Sequence, residues 1–282
     1  MPETPPAQAK GAVKSTRIGV DSYSYHRLLG EVRRGEIPAL HAFPRGSLDV
    51  VAEARRLELD FVLLQTSFLG DPARFSPGAF LAEAGGVALG LSWGALEGLE
   101  FGERSDPLDN LVDWLVPAAE LGLPVTRIVA GGPAHRGAPT GPLAGLLREA
   151  CAAAREHGLR LALENHGDLT ATQIEQLLEQ VGDDLRVCFD TANALRVGDD
   201  VAAVVRRLAP AIEILHLKDC LGSWEDPVAG PVSVPLGEGV IPVDEVLDAC
   251  PDALACIELG QLSPNDAERA LVAAYVEYLR SR

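Results

Sequence analysis

With 282 residues, 47% of them hydrophobic and 23% charged, the chain has the composition of a globular protein with a sizeable core. A formal net charge of -17 argues against a broad nucleic-acid footprint, which needs a basic stripe. No apolar run reaches the ~18 residues of a membrane span, and MPETPPAQAKGAVKSTR at the start lacks the apolar centre of a secretory signal.

Residues 1–16, rich in Pro and Ala, are expected to form a disordered tail, and 17–282 a single domain. From Arg17 onward eight short apolar runs follow one another: RIGVDS (17–22), DFVLLQ (60–65), VALGLSW (87–93), TRIVAG (126–131), LRLALEN (159–165), LRVCFD (185–190), IEILHLK (212–218) and ACIELG (255–260). Eight segments of helical periodicity alternate with them, among them PLDNLVDWLVPAAELG, PLAGLLREACAAAREHG and TATQIEQLLEQVG. Asp106-Pro107 reads as a cap with an N1 proline, Thr170 as an N-cap, and Gly122, Gly158 and Gly182 as helix stops. Nearly continuous apolar strands joined by helices indicate a parallel sheet. Eight such units predict a single (β/α)₈ TIM barrel. A doubly wound open sheet is the alternative, but neither G-x-G-x-x-G nor a P-loop pattern is present. Five cysteines, none in C-x-x-C spacing, are expected to be buried thiols in a reducing cytoplasm.

In a barrel the active site lies at the C-terminal ends of the strands. There the fifth run carries Glu164, Asn165 and His166, and the sixth carries Asp190 with Asn193 three residues on. The seventh carries His216, Lys218 and Asp219, and the eighth Glu258. Each residue has an ordinary reading of its own: Asp190 as a helix cap, His216 as a core residue, Glu258 as an ion-pair partner. Together Glu164, Asp190, His216 and Glu258 make a ligand set of three carboxylates and one imidazole. That set suits one divalent ion, with Mn²⁺ first and Mg²⁺, Co²⁺ or Zn²⁺ as alternatives. Without a cation, three converging carboxylates are expected to push one another's pKa upward.

The stretches LALENHGDLT, CFDTANAL, ILHLKD, PLGEGVIP and ACIELG, in that order, resemble the xylose isomerase-like barrel superfamily, the sugar phosphate isomerase/epimerase group. IGVDSYSYH matches it more loosely. The resemblance implies a barrel that holds one metal through Glu164, Asp190, His216 and Glu258. It leaves several chemistries open: ketose 3-epimerases, sugar isomerases, dehydratases, lyases of oxidised glycosides and DNA-repair endonucleases. The endonuclease branch carries more histidines. Here Asn193 stands three residues after Asp190 and no D-x-H follows the seventh run, which sets DNA repair aside and weakens a free-ketose epimerase.

The expected activity is isomerisation or epimerisation of a keto-sugar or related polyhydroxylated carbonyl compound through a metal-stabilised enediolate. Elimination by a lyase or dehydratase is the alternative, and a non-catalytic barrel subunit or sugar-binding protein a second one. Glu164, Glu258 and His166 are the candidate acid/base groups. His26, Gln65, Trp93, Asn193 and Lys218 are candidate substrate contacts, with Tyr23 and Tyr25 as ring faces. Lys218 has an ion pair with Glu238 as its alternative. GGPAHRGAP (131–139) offers Arg136 to an anion, and the long segment 221–239 offers Trp224 as a cover. Small-molecule carbohydrate is the expected partner, with no nucleic acid and no membrane; apolar outer helices hint at a homo-oligomer.

Overall fold

The strands alternate along the chain with helices, so each must be paired in parallel with its neighbour and covered on its outer face. The computed structural model, which describes residues 16–33, 36–94, 98–223, 231–263 and 267–282, shows this closed. Barrel strands β1 (Ile18–Asp21), β2 (Phe61–Gln65), β3 (Ala88–Ser92), β4 (Val125–Val129), β5 (Arg160–Glu164), β6 (Leu185–Asp190) and β7 (Ile212–Leu217) pair in chain order. A two-stranded hairpin, β8 (Cys220–Leu221) with β9 (Val232–Ser233), precedes β10 (Leu254–Ile257). β10 lies between β7 and β1 and closes the ring, with all eight ring strands parallel.

The covering helices are α1 (Ser47–Arg56), α2 (Pro77–Ala84), α3 (Asp106–Leu121), α4 (Gly141–Glu156), α5 (Ala171–Val181), α6 (Thr191–Arg196), α7 (Val201–Leu208), α8 (Val243–Ala249) and α9 (Glu268–Arg280). Thr170 caps α5 in a reciprocal box with Gln173, and Gly122 ends α3 with left-handed backbone. α3 begins one residue earlier than expected, with Ser105 at its N-cap. α6, which the periodicity did not reveal, is a single short helix capped by Asp190. No described helix is long and apolar enough to cross a membrane. The cysteines are all buried and unbridged, as expected. The N-terminal tail (but for Thr16) and Trp224 lie outside the described residues.

Two apolar layers result. The larger fills the space between strands and helices. The smaller lies inside the barrel and includes Phe61, Leu63, Val125, Ala162, Cys188, Ile214 and Cys256. Side chains alternate sides along a strand, so residues two apart share a face. Stepping two residues past that inner layer therefore places Gln65, Arg127, Glu164, Asp190, His216 and Glu258 inside the barrel at the C-terminal mouth. The polar site is the top layer of the barrel interior.

Candidate metal centre

Glu164 closes β5, Asp190 closes β6, His216 is the penultimate residue of β7 and Glu258 directly follows β10. One ligand atom from each lies within 4.8 Å of the others, and all four residues are buried. Asp190 Oδ1 accepts hydrogen bonds from the backbone N–H groups of Ala192 and Asn193, both 2.9 Å, so this oxygen caps α6. Its Oδ2 is left for the cavity, 2.6 Å from Lys218 Nζ. The capping and ligand readings of Asp190 are thus compatible: one oxygen serves each. Asn165 fixes the strand end. Its amide donates to the Asp190 carbonyl at 2.9 Å and its oxygen accepts from the Asp190 N–H at 2.6 Å.

Asp190 Oδ2, Glu258 Oε2 and both ring nitrogens of His216 are buried without an aligned hydrogen bond, although Lys218 Nζ is an ion-pair partner of Asp190 Oδ2. They are nonetheless crowded together: His216 Nδ1 is in contact with Glu258 Oε2 and lies 3.4 Å from Glu164 Oε2. Buried polar atoms without aligned partners are costly. Four ligand atoms gathered within 4.8 Å of one another are arranged as those that share a cation are. The donor set fits a divalent ion.

A family model for the xylose isomerase-like TIM barrel matches residues 78–251. The chain belongs to this family. Solved structures of the same architecture include a xylose isomerase domain protein of Planctomyces limnophilus, at 15% identity over 96% of this chain and 97% of that one, TM-score 0.66. A probable 3-DHS dehydratase of Bacillus anthracis matches at 16% identity over 94% and 99%, TM-score 0.68. The D-psicose 3-epimerase of Clostridium cellulolyticum matches at 17% identity over 94% and 98%, TM-score 0.67. At such identities these likenesses establish the fold alone. None of the curated proteins matches the sequence.

Two cations complete the centre. Arg127, on β4, is buried and its Nε pairs with Glu164 Oε2. Lys218 bridges Asp190 and Glu258, the latter at 3.2 Å, rather than Glu238. They correct the expectation that all three carboxylates titrate high. Burial raises Glu164, but the Arg127 charge and His216 outweigh it and hold the carboxyl well below its usual range. Glu258 is likewise raised by burial and brought down, by Lys218 and His216, to about 2. Only Asp190 follows the expectation: burial, reinforced by Glu258 and Glu164, outweighs Lys218 and raises it. Arg127 was missed because TRIVAG reads as one apolar run; its inward register, two residues after Val125, was the available signal.

A cavity of about 530 Å³ opens above the cluster. Gln65, His166, Asn193, Lys218 and Glu258 reach its wall, together with Tyr23. Asn193 donates to Glu164 Oε1 at 3.1 Å. Two expected contacts stand elsewhere. His26 is fully buried, its Nε2 3.0 Å from Glu36 Oε2 and its Nδ1 2.9 Å from the Tyr23 carbonyl, because the short 3₁₀ turn Ser22–Tyr25 swings it behind β1. Trp93 donates to Asn110 Oδ1 at 3.0 Å and borders a neighbouring cleft. Tyr25 is core, packed against Phe43. Asp21 was also overlooked: it ends β1, is fully buried, and accepts from Ser92 Oγ at 2.5 Å.

Proposed function

We propose that this chain is a divalent-metal-dependent isomerase or epimerase of a keto-sugar or related polyhydroxylated carbonyl compound. One observation carries the reading: four buried residues from four strand ends converge their ligand atoms, within 4.8 Å of one another, at the floor of the cavity. Glu164, Asp190, His216 and Glu258 would hold the ion. When bound, it supplies a Lewis acid for a carbonyl and its neighbouring hydroxyl, which acidifies the C–H between them.

The chain's own groups do the rest. Glu164 and Glu258 approach the cavity from β5 and from the end of β10, with β6 and β7 between them, so they flank a substrate carbon from two sides. Each keeps one oxygen on a cationic partner, Arg127 or Lys218, and remains ionised at neutral pH, as a proton acceptor must be. Asn193 orients Glu164. Gln65 offers an amide to a hydroxyl. The buried, unbridged cysteines fit a reducing compartment.

Elimination is the second reading, because His166 stands at the same cavity as a third proton-transfer group beyond the pair that epimerisation requires. Titration of Mn²⁺ into EDTA-stripped protein is expected to show one site per chain, lost in Asp190→Ala. Incubation with keto-sugars in D₂O then separates the chemistries. Deuterium in a product isomeric with the substrate supports isomerisation, whereas loss of water or an aglycone supports elimination. Absence of Mn²⁺ binding by the wild-type protein would rule out both.

A further inference from the structure

One buried acid near the cluster has no part in the chemistry so far. Asp21 ends β1, is fully buried, and is not one of the described residues that wall the cavity, so it is not placed to touch substrate. In register it lies level with Leu63 of the interior apolar layer, which puts its carboxylate inside the barrel beneath the mouth. Its two oxygens have separate surroundings. Oδ1 accepts from the Tyr23 N–H at 2.8 Å and caps the 3₁₀ turn Ser22–Tyr25. Oδ2 accepts from Ser92 Oγ at 2.5 Å and stands 3.7 Å from His216 Nε2, at ion-pair distance. Asp190 divides its oxygens in the same way, one capping a helix and the other facing the cluster. Capping explains Asp21 Oδ1 alone. It gives no reason for a second donor to hold Oδ2 beside an imidazole.

His216 has the complementary arrangement. Its Nδ1 is in contact with Glu258 Oε2 and lies 3.4 Å from Glu164 Oε2, on the side of the ligand carboxylates. Its Nε2 is the nitrogen that faces Asp21. The thiols of Cys188 and Cys256, on the two strands that flank β7, also adjoin the ring. A thiol sulfur is a weak acceptor and a carboxylate oxygen a strong one, so Asp21 is the group able to fix the Nε2 proton. A neutral imidazole carries one N–H, and the nitrogen that holds it cannot bind a cation. Which nitrogen meets an ion is therefore decided by the hydrogen bond that the other one makes.

Resting on the reading of this cluster as a divalent-metal centre, we infer that Asp21 is the positioning residue of His216: its Oδ2 accepts a hydrogen bond from Nε2–H, which leaves Nδ1 to the ion. Ser92 holds that oxygen in place, and the acid at the end of β1 thereby sets the tautomer of a ligand on β7.

Two measurements on the full chain test this. In the first, ¹⁵N-histidine-labelled wild-type protein is loaded with diamagnetic Zn²⁺, and the His216 signals are assigned by their loss in His216→Gln. The proton is expected on Nε2; a proton on Nδ1 would overturn the inference, whatever the variants do. In the second, Mn²⁺ is titrated by calorimetry into EDTA-stripped wild type, Asp21→Asn and Asp21→Ala, and each is melted in EDTA. Asp21→Asn keeps an oxygen for the Tyr23 N–H but turns an amide N–H₂ toward Nε2, which favours the wrong tautomer. Its Mn²⁺ affinity is expected to fall by about 10–100-fold. Asp21→Ala loses the cap as well, so it melts below Asp21→Asn, yet it loses no more Mn²⁺ affinity than Asp21→Asn does. A merely structural role predicts the opposite: affinity would follow melting temperature, with Ala the worse of the two. That order, or an Asp21→Asn affinity within about twofold of wild type, would also overturn the inference. Failure of the wild type itself to bind Mn²⁺ is distinguishable from these outcomes, and would remove the metal reading and the role of Asp21 together.

Discussion

His166 stands two residues beyond Glu164, and burial pushes its imidazole down to about 4, with the Arg127 and Lys218 charges acting in the same direction against Glu164 and Glu258. At neutral pH the ring is therefore uncharged, able to accept a proton or orient a hydroxyl. The sign for stability follows. On acidification the unfolded chain takes up this proton near pH 6.5, while the folded chain resists until about 4. Stability is thus full above pH 6.5 and falls as pH drops toward 4, by about 2 kcal/mol between pH 7.5 and 5. His166→Gln should remove that part of the loss, so denaturant midpoints at the two pH values lie closer together than in the wild type. An unchanged gap would show that the ring is charged in the folded state. At this scale the four presumed ligands were legible, because each is polar at the end of an apolar run. Arg127 and Asp21 were not: a charge inside TRIVAG or IGVD is visible only once the inward register is known. His26 was misplaced because nothing local announced that the chain turns directly after Asp21.

Between residues and the whole barrel, the ILHLKD and PLGEGVIP stretches have a mechanical explanation that does not involve substrate. Asp219, fully buried just past β7, accepts four backbone hydrogen bonds: Oδ1 from Cys220 and Ile241, Oδ2 from Gly237 and Gly239, at 2.9–3.1 Å. Its own N–H donates to Tyr275 Oη of α9 at 2.9 Å. One carboxylate thus ties the 237–241 turn to the strand that carries His216 and Lys218. Gly239 is required by space, since a Cβ there would lie 2.0 Å from Asp219 Oδ1. Asp219→Asn keeps the size but turns an amide N–H₂ toward backbone donors. It is expected to cost about 3 kcal/mol in chemical unfolding and to lower Mn²⁺ affinity through β7. A loss under 1 kcal/mol would mean that the turn holds without the carboxylate. The sequence displayed this pair of motifs clearly but not which part was chemistry and which was scaffold. The short hairpin β8–β9 and the single-turn α6 were invisible for a simpler reason: elements of two to six residues have too little periodicity to register.

At the scale of the molecule, the barrel interior is apolar at depth and charged at the mouth, and the charged layer has no reason to be assembled for stability alone. Breaking or leaving unmatched a buried charge is destabilising, and even a matched buried pair seldom outperforms apolar packing. A cation that binds only the folded chain changes this balance. At 100 times its dissociation constant it adds about 2.7 kcal/mol, which for a domain of this size is a rise of roughly 5–10 °C in Tm. Mn²⁺ should therefore raise the melting temperature of EDTA-stripped protein by that order, read by differential scanning calorimetry at fixed protein concentration. Two variants divide the roles of the cluster. Asp190→Ala removes a helix cap as well as a ligand, so it is expected to melt lower even in EDTA, by the ~1–2 kcal/mol of a lost cap, and to gain nothing from Mn²⁺. His216→Gln leaves the α6 cap intact; it should lose the Mn²⁺ response while keeping the Asp190 contribution to the apo protein. If wild type and both variants gained equally from Mn²⁺, the ion would be binding the acidic surface, and the top layer of the barrel would have to be explained as a network closed by Arg127 and Lys218 alone.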